Sequence, residues 1–164
     1  MPSVKLTYNN KKKVILLTSL VIFFGILNSV IPLFLLSLIP QSIIGDYIVK
    51  HLLYSYISIP ILLYFLYTGI FLCHLDISSF VISIRSRRVI FGPFQSPNYI
   101  EISPLLIKSF AFFNRPFSFN TTLMIKMEND SGRKLTQRFN LTLLSAKEEK
   151  RISKVLTQII AKNS

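Results

Sequence analysis

The stretch KKKVILLTSLVIFFGILNSVIPLFLLSLIP, Lys11 to Pro40, decides how the chain is read: three lysines stand before a run without Lys, Arg, Asp or Glu from Val14 to Gly45. A second such run extends from Leu52 to Leu75. A helix needs about 20 apolar residues to cross a hydrocarbon layer of roughly 30 Å, because each residue rises about 1.5 Å. Residues 14–39 and 52–73 meet that length, and neither shows the polar face of a water-facing helix. A cleaved signal would have a shorter apolar core and a small-residue cleavage site; LLSLIPQSIIGDY, Leu35 to Tyr47, offers none. The sequence therefore predicts a basic N-terminus at 1–13 and an uncleaved transmembrane helical hairpin at 14–75, with spans at 14–39 and 52–73.

Cations set the expected orientation. Lys5, Lys11, Lys12 and Lys13 precede the first run, and Arg85, Arg87 and Arg88 follow the second. The connection between the runs has only Lys50, offset by Asp46. The positive-inside bias then places both termini of this multi-pass chain in the cytoplasm. Pro32 and Pro60 predict kinks. Gly25, Asn28 and Ser29 form a small and polar edge that suits packing of the two helices on each other, with self-association as the alternative. Tyr54 and Tyr56 suit an interfacial belt, and Tyr64 and Tyr67 are expected to turn their hydroxyls to the helix partner.

Residues 76–164 carry 14 of the 19 basic residues and mix polar with apolar positions, the pattern of a separately folded β domain. Phe80, Ile82 and Ile84 alternate, Arg85-Ser86-Arg87 reads as a break, and Val89 and Phe91 begin a second strand ended by Gly92-Pro93. Turn signals fall at Asn114-Arg115-Pro116 and Asn129-Asp130-Ser131-Gly132. From Leu135 to Leu143 the odd positions are expected to be buried: Leu135, Gln137, Phe139, Leu141 and Leu143. Ser145-Ala146-Lys147-Glu148 has the form of a capping box. After it, Ile152, Val155, Leu156, Ile159 and Ile160 make the apolar stripe of a helix at 146–161. The expected fold class is an α+β membrane protein, a transmembrane hairpin followed by a small antiparallel sheet or partly open barrel with one C-terminal amphipathic helix.

Two membrane helices, FVISIRSRRVIFGPF, the connection IEISPLLIKSF, the hairpin TTLMIKMENDSGRKLTQRFNL and a closing helix together resemble the membrane-anchored bacterial proteins with a pleckstrin-homology-like (PH-like) domain. The resemblance covers the layout of residues 14–162 and implies a binding platform without catalytic residues. Where members often have Trp in the connection, this chain has Pro104 and Leu105.

Catalytic chemistry is not indicated. The seven carboxylates are scattered, and those at Glu128, Asp130, Glu148 and Glu149 have turn or helix-start explanations. Cys73-His74-Leu75-Asp76 lacks a second ligand group at zinc-like spacing, and the five glycines are isolated, so no metal site and no cofactor are expected. A lone cysteine excludes an intrachain disulfide. The functional signal is electrostatic: Arg85, Arg87 and Arg88 suit anionic lipid headgroups or a membrane protein partner, against the alternative of a solvated surface. The Phe-rich turn SFAFFNRPFSFN adds Phe113, Arg115 and Phe117 as a second binding patch if exposed. The alternative makes Phe110, Phe112, Phe117 and Phe119 core positions of two strands. Nucleic acid is not expected as a partner without a recognisable motif. The expected function is thus a non-enzymatic inner-membrane binding protein whose partners are the lipid bilayer and a membrane protein. The alternative is an immunity or phage superinfection-exclusion protein whose partner is a toxin or phage component.

Overall fold

A computed structural model describes residues 5–38, 53–90, 96–128 and 132–163, with the side chains of 29–36, 38 and 53–55 excepted. The chain divides into two compact units, Met1–Val14 with Ile70–Ser164, and Ile15–Gly69.

The first unit is built on two antiparallel sheets. One has the order β1 (Leu6–Asn9), β2 (Phe71–Ile77), β3 (Ile82–Arg88) and β4 (Asn98–Ile102); the other has β5 (Ile107–Asn114), β6 (Asn120–Glu128) and β7 (Lys134–Thr142). Strand alternation explains the core. Leu6 and Tyr8, Cys73, Leu75 and Ile77, and Ile82 and Ile84 turn to one face, where they meet Leu123, Ile125, Phe139 and Leu141 of the second sheet. The stripe Ile152, Leu156 and Ile159 of the C-terminal helix, Ala146–Asn163, joins the same core. Each fully buried Leu or Ile side chain contributes about 1.5–3 kcal/mol relative to exposure, so the apolar layer between the sheets and this helix dominates the stability of the unit.

That helix begins with the expected capping box. Ser145 N donates to Glu148 Oε2 at 2.8 Å, and Glu148 N donates to Ser145 Oγ at 3.3 Å. The 3-10 turn Pro104–Leu106 leads into β5 and is tied to the helix end, where Asn163 Nδ2 donates to the Pro104 carbonyl at 2.7 Å.

The second unit contains α1 (Lys11–Leu38) beyond its first turn and α2 (Leu53–Thr68), so that the C-terminal helix is α3. Asn28 Nδ2 donates to the Phe24 carbonyl at 2.8 Å and to Ser58 Oγ at 2.5 Å, joining the two helices through a buried serine. Large apolar side chains face outward from both: Ile15, Leu16, Ile22, Phe23 and Ile26 on α1, and Tyr56, Ile57, Ile59 and Leu63 on α2. Neither helix has the one-sided patterning that pairs with a β core.

Several expectations are corrected. Among the described residues no helix is long and apolar enough to cross a membrane, so the transmembrane hairpin, the membrane-protein fold class and the multi-pass inner-membrane location do not stand. The second expected span, 52–73, is cut short physically: α2 has 16 residues, Gly69 turns the chain at φ +72°, and Phe71 to Cys73 enter β2. In α1 the portion with described side chains, residues 11–28, includes Lys11, Lys12 and Lys13. Within the expected basic segment 1–13, Leu6–Asn9 form a strand, with Leu6 paired to Ile77 and Tyr8 to Leu75.

Arg85-Ser86-Arg87 lies inside β3 instead of breaking it, because the cross-strand partners His74, Cys73 and Leu72 continue the ladder. In β7 only the second half of the expected face is buried. Phe139 and Leu141 lie in the core, whereas Leu135 is 55% exposed on the outer strand of its sheet although its partner Met127 is buried, and Leu143, just past the strand, is also exposed. Tyr67 is 89% exposed, so its hydroxyl does not turn inward as expected. The connection at 40–51, Gly92-Pro93 and Asn129 to Ser131 lie outside the described residues, as do the side chains of Ser29, Pro32 and Tyr54.

Candidate functional site

One end of the first unit gathers most of the residues that the sequence marked for binding, and Asn10 organises that end. It is buried between β1 and α1. Its Nδ2 donates to the Phe71 carbonyl at 2.9 Å and the Thr142 carbonyl at 3.2 Å, while its Oδ1 accepts from Cys73 N at 2.8 Å. Its own carbonyl accepts from Val14 N at 3.0 Å, opening α1. Thr142 Oγ1 in turn accepts from Phe71 N at 2.8 Å and donates to Asn120 Oδ1 at 2.6 Å. A buried amide with all its groups satisfied holds the start of β2, the end of β7 and the start of α1 together.

The same device protects an exposed ladder edge. Among the described residues β7 pairs with β6 alone, and an unpaired edge invites non-native pairing. Carbonyls of alternate β7 residues instead accept from side chains of the other sheet and its exit: Arg138 from Asn98 Nδ2 at 3.3 Å, Asn140 from Ser86 Oγ at 2.9 Å, and Thr142 from Asn10.

Around this end, Lys13 Nζ donates to the Leu143 carbonyl at 2.9 Å and pairs with Glu148 Oε2 at 2.6 Å. Burial alone would raise the Glu148 carboxyl, but the hydrogen bonds from Lys13 and Ser145 outweigh it and hold the group below its usual range. Lys11 and Lys12 remain exposed in the first turn of α1.

The strand register fixes where the arginines fall. Arg88 pairs with Phe71 and Arg87 with Leu72, so both lie at the end held by Asn10. Arg85 and Arg87 point to the outer face and Arg88 to the other, where it is half-buried, so the three do not form one cluster. Arg85 lies 5.1 Å over the ring of its cross-strand partner Tyr99. The Tyr99 hydroxyl donates to Glu101, and that bond raises the phenol above its ordinary range.

The β5–β6 hairpin tip reaches the same end, since Leu143 N donates to the Phe119 carbonyl at 2.9 Å. The turn closes through Ser118 N to the Arg115 carbonyl at 3.2 Å and is braced by Thr121 Oγ1 to Asn114 Oδ1 at 2.7 Å. At its apex Phe117 is 95% exposed and holds φ at +57°. A bulky residue rarely adopts that conformation. Phe113 is 50% exposed beside the exposed Arg115. The alternative that buries the Phe-rich stretch therefore holds for part of it: Phe110 and Phe112 pack against the core, and Phe113 and Phe117 do not.

Of the expected helix-packing residues, Asn28 bonds across to Ser58, while a Cβ built on Gly25 would meet nothing within 4 Å. Close backbone approach is thus not the role of that glycine among the described residues.

Cys73 is buried, and burial pushes its thiol up to about 12; His74 is exposed on the opposite face of β2. Burial first, and then the Glu148 and Cys73 charges, push the Tyr8 phenol above its ordinary range. Both shifts favour the protonated forms near neutral pH. No group of three or more His, Cys, Asp or Glu gathers among the described residues.

Asn10 escaped the sequence reading, although signals were present. Leu6-Thr7-Tyr8-Asn9 alternates as a strand does, and Asn9-Asn10 ahead of a helical run is a helix-start signature. Asn9 Oδ1 indeed accepts from Lys11 N at 2.9 Å. Comparison with known proteins finds no matching family model, curated protein or solved structure, and with no membrane-crossing helix among the described residues the resemblance to membrane-anchored PH-like proteins is not supported.

Proposed function

We propose that the chain is a non-catalytic binding protein whose first unit docks on anionic lipid headgroups through the end that carries Lys11, Lys12, Arg87, Arg115 and Phe117. The observation that carries this reading is Phe117, a bulky ring held at a costly positive φ with 95% of its surface in solvent. Backbone strain of this kind clusters at ligand contacts, and an exposed apolar ring at such a position suits an external partner. The flanking cations favour an anionic partner, each gaining about 1 kcal/mol near such a surface. An aromatic ring beside cations suits the boundary between headgroups and acyl chains. The contact is made at a lipid surface and asks no helix to cross it. A protective role against a toxin or phage component would draw on the same face, and no observation in the fold favours it separately.

The chain has no tryptophan, so Phe117→Trp is a site-specific reporter. Its emission is expected to shift to the blue with phosphatidylglycerol vesicles and to be quenched by brominated acyl chains. Arg87→Gln with Arg115→Gln should weaken the response about thirtyfold, the equivalent of about 2 kcal/mol for the two cation contributions removed, and phosphatidylcholine vesicles should weaken it at least as much. An unchanged spectrum with anionic vesicles at low salt, or one indifferent to lipid charge, refutes the reading.

A further inference from the structure

At the opposite end of the first unit, away from Phe117, a groove of about 310 Å³ opens between the β2–β3 turn, the 3-10 turn and the end of α3. Its lining includes Phe80, Leu105 and Ile159, with Ser79 and Ser103 at the polar margin and Lys162 as the only charged residue among the described ones. Phe80 is 84% and Leu105 69% exposed, yet both stand on rigid supports. Ser78 Oγ donates to the Val81 carbonyl at 2.8 Å and accepts from Val81 N at 3.0 Å, which fixes the turn that carries Phe80. Ser103 Oγ accepts from Leu105 N at 3.4 Å, and Asn163 holds the Pro104 carbonyl, which fixes the wall that carries Leu105.

Two large apolar side chains held outward over a buried isoleucine form a preformed cleft rather than a loose surface, and preorganisation lowers the cost of occupying it. Its size lies near the lower limit for ligand sites, enough for about one large side chain with its main chain. The single cation sets the second requirement, a negative charge within one residue of that apolar group. A chain-terminal residue meets both demands at once, because it carries its side chain and its carboxylate on the same Cα.

We infer that this groove binds the C-terminal residue of a partner protein, the apolar side chain seated between Phe80 and Leu105 over Ile159 and the free carboxylate on Lys162. The inference is independent of the lipid contact, which uses the other end of the unit.

The test uses the full chain and dye-labelled peptides of identical sequence ending in leucine, with either a free carboxylate or an amide, read by fluorescence anisotropy. Saturable binding of the free acid is expected, with the amide about tenfold weaker, as loss of a charge-assisted hydrogen bond implies. Lys162→Gln should weaken the acid about tenfold and leave the amide unchanged. Phe80→Ala should weaken both about fivefold through lost apolar contact. Both replaced side chains are exposed, so the melting temperature should stay within about 2 °C of the parent, which separates lost binding from lost folding. No saturable binding, equal affinity for acid and amide, or indifference to Lys162→Gln would overturn the assignment. Octanoate competing as effectively as the peptide would overturn the protein partner in favour of a free carboxylic acid.

Discussion

The two units spend the same kinds of residue in opposite ways. In the unit of two sheets and α3, Leu and Ile at alternate strand positions and along one helix face are buried, and the intervening positions face water. In the unit of α1 and α2, residues of equal hydrophobicity such as Leu16, Phe23 and Leu63 face outward. The period of the apolar residues, rather than their number, decides whether a segment can close a core within its own unit. A period of two matches a sheet with one buried face, and a one-sided helical period matches a helix laid on it. An apolar sequence without a polar face satisfies neither.

The sharpest break between the units should appear at Asn10. Asn10→Ala removes hydrogen bonds to β2 and β7 together and leaves buried backbone groups without partners. It should cost roughly 3–5 kcal/mol of the first unit's stability, read as the lost hydrogen-exchange protection of Cys73 and Leu75 amides. If those amides exchange as in the parent, the corner is not held by Asn10.

A matched pair of truncations comes next. Leu156→Ala in the core of the first unit should destabilise it by about 2–5 kcal/mol. Leu63→Ala, exposed on α2, should change stability in buffer by no more than about 0.5 kcal/mol. Equal losses in urea unfolding would erase the distinction between the units.

Removing the cap should cost less. Ser145→Ala removes the hydroxyl that accepts from Glu148 N and donates to Glu148 Oε2, and should cost about 1 kcal/mol. A smaller, pH-dependent effect follows from Glu148, whose folded-state carboxyl is held below its unfolded value. Its contribution is fully present above the unfolded value, near 4.5, and disappears as pH falls through the lower folded value. The melting temperature of the parent should therefore fall across that acidic window more than that of Lys13→Met, whose Glu148 lacks the cation. Parallel curves would show that the pair contributes nothing.

The smallest effect has the opposite sign. Phe117→Gly relieves the positive φ and should stabilise the unit by up to about 1 kcal/mol while reducing its association with phosphatidylglycerol vesicles. A loss of stability would mean that the ring packs at home, and the lipid reading would lose its main support.

Much of the first unit is legible in the residues themselves. The capping box, the stripe from Ile152 to Ile160, the turn at Asn114 to Pro116 and the apolar positions of β3 all follow from local periods and caps. The same reading misses the strand Leu6–Asn9, because its four residues of alternation are overshadowed by the three lysines and the long apolar run that follow. It also read Arg85-Ser86-Arg87 as a break, although charged residues are ordinary on the wet face of a strand.

For the candidate site, the residues of the Phe-rich turn could be named from sequence, but whether Phe113 and Phe117 were core or surface depended on strand register and on the hairpin apex. Arg85, Arg87 and Arg88 looked like one cluster because they are neighbours in the chain, and the strand pleat sends Arg88 to the other face.

By itself the amino-acid sequence determined what local chemistry can encode: alternation, helical stripes, caps, turns and the balance of charge. Tertiary structure alone decided that a strand before α1 completes a sheet begun at Phe71, that Asn10 bridges Phe71 to Thr142, and that Phe80 and Leu105 meet Ile159 across a groove. Those contacts join residues far apart in the chain, and their free energy exists only once the sheets and α3 have enclosed a common core, so no local pattern records them.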